Sequence, residues 1–238
     1  MLLDHPTFNN GQGLRVHIRT TRVKYFSFIS AIAVQIGEDT VEFENDIENF
    51  LLNGVPPPPN MKHHKTRIGG FVLRRDAKAL SIRIHDEGKV SRETGTVVKI
   101  DLHSRKNGFP AVIVDGGKSD LFRGSRGLLG DWETGRFLAR DGKTEIEVDR
   151  RNAEAFALEW QVRDTEPLLF SSVRAPQYPA TCIPPSDMIE SRLGMAAFKL
   201  EAEEACGHWE QDMDDCIFDV MATRDPSIAH EGHIVHVA

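Results

Sequence analysis

Polar and apolar residues alternate one for one along much of the first half of this chain, and that period limits the fold more than any other feature. In Leu14 to Thr20, Leu14, Val16 and Ile18 interleave with Arg15, His17 and Arg19. A two-residue period sends successive side chains to opposite faces of a strand, one buried and one wet. The period returns at Ile32, Val34 and Ile36, breaks at Gly37-Glu38-Asp39 and resumes at Val41 and Phe43, as in a hairpin. NFLLNG then runs into Asn53-Gly54, a favoured turn dipeptide. The prolines Pro56 to Pro59 follow; they cannot join a central ladder and make a stiff exposed loop. FVLRRD, ALSIRIHDEG, TVVKIDLHS and PAVIVDGG read as further short strands. Many short strands with turn punctuation predict a mainly β, sandwich-like fold. No helical pattern alternates with them, which removes a Rossmann or P-loop unit, and no GxxxxGK[ST] is present in the opening segment.

After residue 150 the period changes. Phe156 and Trp160 stand four apart in RNAEAFALEWQV, the spacing of one helix face, and predict a short helix that packs both on the sheet. A proline-rich link follows. Ser186 can cap the next helix, with Asp187 in its first turn. Ile189, Leu193, Ala196 or Ala197, Leu200 and Glu204 fall near one side of it. CIFDVMATRD reads as another short helix and SIAHEGHIVHVA as a frayed tail. The expected organisation is a β domain over 1–170, a linker over 171–185, and a helical segment with its tail over 186–238.

The formal net charge is −7 with acids and bases interspersed, so no basic face is offered to nucleic acid. No apolar run reaches the length of a membrane span. MLLDHPTFNN lacks the basic and apolar regions of a signal peptide, and its abrupt start is that expected of a chain short of its first strands. The cysteines are Cys182, Cys206 and Cys216. They are either reduced thiols, or one pair plus an orphan whose partner lies outside the chain.

The stretch GSRGLLGDWETGRFLARDG, Gly124 to Gly142, carries Asp131, Glu133 and Asp141 among glycines. Its context excludes a phosphate cradle and leaves a cation loop or a tight turn; Arg140-Asp141-Gly142-Lys143 is also an ordinary hairpin turn. His63-His64 reads as part of a loop. His230, His233 and His236 could chelate zinc on a helix, but Gly232, Ile234 and Val235 oppose one, so a solvated tail is expected. Asp214-Asp215 reads as helix surface, and Arg15, Arg19 and Arg22 as a solvated strand face and its exit. No GxSxG elbow and no cysteine-protease signature occur, so the chain reads as a non-enzyme. The alternative is a divergent extracellular glycan-processing hydrolase that uses carboxylates near Asp131 and Asp141.

Four stretches taken in order resemble a von Willebrand factor type D domain: GLRVHIRT, AVQIGEDTVEFE with LLNG, GLLGDWETG, and FALEWQVRD with LLF and CIPP. EEAC at Cys206 and DDCIFDVMATRD at Cys216 resemble the small cysteine-containing helical segment that often follows such domains. The version is most similar to extracellular proteins of algae, including diatoms. The resemblance implies a non-catalytic structural or adhesive module of a larger secreted or cell-surface protein. Its partners would be matrix or cell-surface proteins, or further copies of itself. It also implies a calcium loop with Asp131 as first ligand, Glu133 next and Asp141 as a substitute, and a disulfide between Cys206 and Cys216 that leaves Cys182 the orphan. The chain departs from the family pattern. The Gly-Asp-Pro-His strand and the Gly-x-Cys-Asp stretch are missing, and Leu129 stands where a framework cysteine is usual.

Overall fold

The computed structural model describes residues 1–23, 26–44, 46–57, 66–75, 79–84, 98–104, 110–115, 122–131, 134–148, 152–173, 193–207, 213, 216–217, 220–221 and 226–230. They form two compact units. The first is Met1–Thr20 with Ile29–Arg174, and the second is Thr21–Phe28 with Ala175–Ala238.

The strands predicted by alternation are present. Strands β1 (Leu3–His5), β2 (Leu14–Val23), β3 (Phe26–Ile36), β4 (Asp39–Glu44) and β5 (Asp46–Leu52) lie in chain order in one sheet. Strands β6 (Thr66–Ile68), β7 (Phe71–Arg75), β8 (Ala79–Ile84), β9 (Val98–Ser104) and β10 (Pro110–Asp115) make a second antiparallel meander. The β3–β4 register pairs Ile32 with Phe43 and Val34 with Val41, so large apolar side chains face the core together. A single apolar cluster joins both sheets. Leu14, Val16, Ile32, Val34, Ile36, Val41, Phe43 and Phe50 come from the first; Ile68, Phe71, Leu73, Leu80 and Ile82 come from the second. Burying that face against a second sheet is the reason a chain of alternating strands settles as a mainly β fold of two layers.

Turn chemistry closes the hairpins where it was expected. Asn53 and Gly54 take φ values of 52° and 76°, and the Asn53 carboxamide accepts the Thr40 N–H at 2.7 Å while donating to Asp39 at 3.0 Å. Between β1 and β2 the short turn α1 (Phe8–Gly11) passes through left-handed φ at Asn9 and Asn10 and drops the Phe8 ring into the core.

A two-stranded hairpin, β11 (Phe137–Leu138) with β12 (Glu145–Ile146), precedes helix α2 (Ala153–Glu159). Phe156 and Trp160 are both buried, as their spacing predicts, but they pack on this small hairpin. The Phe156 ring meets Phe137 edge-on at 5.2 Å, and the Trp160 indole N–H donates to the Leu138 carbonyl at 3.0 Å.

In the second unit, helix α3 (Leu193–Cys206) turns inward a face other than the one expected. Leu200 is 71% exposed, whereas Ala202 and Cys206 are buried with Val220 and Ala229, and Phe198, Ala205, Cys216, Ile217 and Met221 pack around them. At the start of the expected tail, Pro226–His230 form a 3-10 turn with Ala229 in that cluster; residues 231–238 lie outside the described residues. Ser186, Asp187, Asp214 and Asp215 fall outside the described residues.

Candidate functional site

The glycine-rich stretch first does structural work. Asp4 and Arg126 exchange backbone hydrogen bonds of 2.7 and 2.9 Å, and Leu129 donates to the Leu2 carbonyl at 3.1 Å. The outer edge of β1 is therefore covered by the chain rather than open. A Cβ on Gly127, whose φ is 124°, would stand 2.6 Å from the Leu2 carbonyl oxygen. That close approach explains the glycine. Leu129 is 43% exposed.

Asp131 and Asp141 each organise a turn. Asp131 accepts the Thr134 N–H at 2.9 Å, and its own N–H donates to the Arg136 carbonyl at 2.7 Å. Asp141 accepts the N–H groups of Lys143 and Thr144 through Oδ1, both at 2.8 Å, and the Thr144 hydroxyl through Oδ2 at 2.6 Å. The hydroxyl bond, followed by the two backbone N–H bonds, lowers the Asp141 carboxyl to about 2. A glycosidase acid needs the opposite shift. Glu133 lies outside the described residues. Calcium takes six to eight oxygens. Among the described residues no three His, Cys, Asp or Glu side chains gather to hold a metal, and both Asp141 oxygens are already engaged. The described acids therefore do not, by themselves, fit a calcium cage.

Arg140, which residue-type patterns did not single out, is the hub of this region. Its guanidinium donates to the Glu159 and Gln161 carbonyls, pairs with Glu166, and lies 5.5 Å from the Trp160 ring centroid. Burial alone would raise the Glu166 carboxyl. The Arg163 N–H and the Arg140 guanidinium outweigh it and hold the group below its ordinary value. A cleft of about 240 Å³ opens here, lined by Asp4, Arg126, Arg140, Trp160 and Glu166 among others. Its carboxylates are each tied to an arginine: Asp4 to Arg126 at 2.8 Å, and Glu166 to Arg140. Such pairs brace a structure.

The outer face of the first sheet departs most from expectation. Alternation assigns Arg15, His17 and Arg19 to water. Instead His17 is 1% exposed, and Ala31 and Ala33 on the same face are buried against Leu169 and Phe170. The segment from Trp160 to Ser172 is a strap. Phe170 sits on the two alanines, with the Arg19 guanidinium 4.0 Å from its ring centroid. Arg19 also donates to the Ser172 carbonyl and to its hydroxyl at 3.2 Å. Glu42 accepts the Ser171 N–H at 2.9 Å and the Ser171 hydroxyl at 3.1 Å. Alanines on β3 were the available signal: small side chains on a strand's polar face leave room for a covering segment.

Cys206 and Cys216 form a disulfide with a Cα–Cα distance of 5.9 Å. Cys182, His63, His64, His233 and His236 lie outside the described residues, and His230 ends the 3-10 turn. Among the described residues no helix is long and apolar enough to cross a membrane. No protein-family model matches the chain, and no curated protein matches it.

Proposed function

We propose that the chain is a non-catalytic structural or adhesive module of a larger secreted or cell-surface protein, of the von Willebrand type D kind. The observation that carries this reading is the Cys206–Cys216 disulfide, which closes the helical cluster of the second unit in a chain that is otherwise mainly β. Structural disulfides belong to oxidising compartments. The rigid elements of the β domain also suit a scaffold. Both faces of β3 are covered, and the carboxylates of the cleft are locked to arginines. Its partners are matrix or cell-surface proteins, or a second copy of the chain. Calcium is not required by this reading. If the family's cation is retained, Asp131 and Glu133 with backbone carbonyls would have to hold it.

The test sets binding against turnover. The purified chain is incubated with a mucin-type glycoprotein, chitin and carboxymethylcellulose, and both retained protein and new reducing ends are measured. Self-association is read by sedimentation. The module reading expects retention or self-association without release. Release of reducing ends that Asp131→Asn or Asp141→Asn abolishes would overturn it in favour of a hydrolase.

A further inference from the structure

His17 is a titratable group that no bracing role explains. It lies on β2 between Arg15, which donates to the Gln35 carboxamide at 2.6 Å, and Arg19, whose carbonyl lies 3.4 Å from the Ser30 hydroxyl. These contacts set β2 beside β3 and put His17 on the face that the strap covers. Its ring is fully enclosed, and among the described residues neither Nδ1 nor Nε2 has a hydrogen-bond partner. A buried imidazole without partners is tolerated only while neutral, because burying an uncompensated charge costs far more than burying a dipole.

The charged groups around it are mostly of its own sign. Arg15 and Arg19 flank it on β2, Arg140 acts from the hairpin turn, and the Met1 amino group, which burial lowers to about 6, adds its charge as the pH falls. Opposite charge comes from Glu166 on the strap, already paired with Arg140, and from Glu42 on β4, already bonded to Ser171. We propose that the strap over the first sheet is an acid-released cover: protonation of His17 detaches residues Glu166 to Ser172 and uncovers Ala31, Ala33 and the Phe170 ring. The anchors are few and local: Leu169 and Phe170 on the alanines, Ser171 on Glu42, Ser172 on Arg19, and the Glu166–Arg140 ion pair. The core between the sheets does not depend on them. Desolvation first, then the neighbouring positive charges, hold His17 at about 4 against an ordinary 6.5. An open strap returns it to water, so the open form gains a proton that the closed form refuses. The enclosed, unpartnered His17 ring and the anchors of the strap carry this independently of the module reading.

The experiment is amide hydrogen exchange of the full chain between pH 7.5 and 4, read as protection factors corrected for intrinsic rates. The amide of Ser171, held by Glu42, reports the strap, and those of Ile32 to Ile36 report the core. The wild-type strap is expected to lose protection roughly a hundredfold over this range while the β3 amides keep theirs. In His17→Phe the strap's pH dependence disappears; His17→Gln serves the same purpose if the phenylalanine variant does not fold. Glu42→Gln loosens the strap at every pH and leaves the dependence in place. Loss of β3 protection in step with the strap, or an unchanged pH dependence in the His17 variant, would overturn the proposal.

Discussion

Asp4 and Arg126 stand 122 residues apart and are joined twice, by the paired backbone hydrogen bonds and by an ion pair of 2.8 Å. This joint closes the edge of β1 with the stretch that the sequence marks as a glycine-rich loop. Asp4 is largely buried, so removing its partner leaves a carboxylate without compensation. Arg126→Met is expected to cost about 2–3 kcal/mol in chemical denaturation. Gly127→Ala is expected to cost at least as much, because the added carbon has no room beside the Leu2 carbonyl. A loss below about 0.5 kcal/mol in both would show that this edge is not sealed as described.

The strap is anchored by the adjacent buried pair Leu169 and Phe170, of which Phe170 is the larger. Phe170 is 7% exposed and Leu168 42% exposed. Phe170→Ala is expected to lose about 3 kcal/mol and Leu168→Ala less than about 1 kcal/mol. Ala33→Leu should lift the strap by overpacking, costing about 1–3 kcal/mol. Equal effects of Phe170→Ala and Leu168→Ala would contradict the arrangement.

The buried histidine makes global stability pH-dependent. With its strap closed the folded chain holds His17 at about 4, while the unfolded chain titrates it at the ordinary 6.5. Between these values the unfolded state binds more protons. The contribution is therefore full above 6.5 and declines as pH falls toward 4. The difference corresponds to about 3 kcal/mol. Denaturation midpoints measured from pH 7.5 to 4 should fall more steeply for the wild type than for His17→Phe. Parallel profiles would contradict this assignment.

Much of the β domain was legible because alternation reports burial directly. The strands around Val16, Ile32, Val41 and Ile82 all show it, and Asn53-Gly54 marks its own turn. The outer face at His17 was not legible. Alternation sees only that a residue is polar; the dryness of that face comes from Phe170, far along the chain. The inward face of α3 was misjudged for a related reason, since Leu200 fits a hydrophobic pattern while Ala202 and Cys206 fit the space. Asp131 and Asp141 were visible as acids. Whether an acid binds a cation or caps a turn depends on which N–H groups reach it, and residue types do not reveal that.

The turns predict how the acidic stretch responds to calcium. With Asp141 engaged by its own turn, millimolar calcium against an EDTA control should leave the thermal midpoint unchanged. A concentration-dependent rise that Asp131→Ala abolishes would instead make the loop a cation site, since a ligand of the folded state must raise the midpoint.

A Cys206–Cys216 bond that persists in the working protein requires an oxidising setting. The direct measurement is thiol trapping of the protein taken from its natural source: alkylation before any reduction, then mass spectrometry of the peptides that carry Cys206 and Cys216. The account predicts a linked, unalkylated pair. Full alkylation of both cysteines would mean that the chain works reduced, and would contradict it.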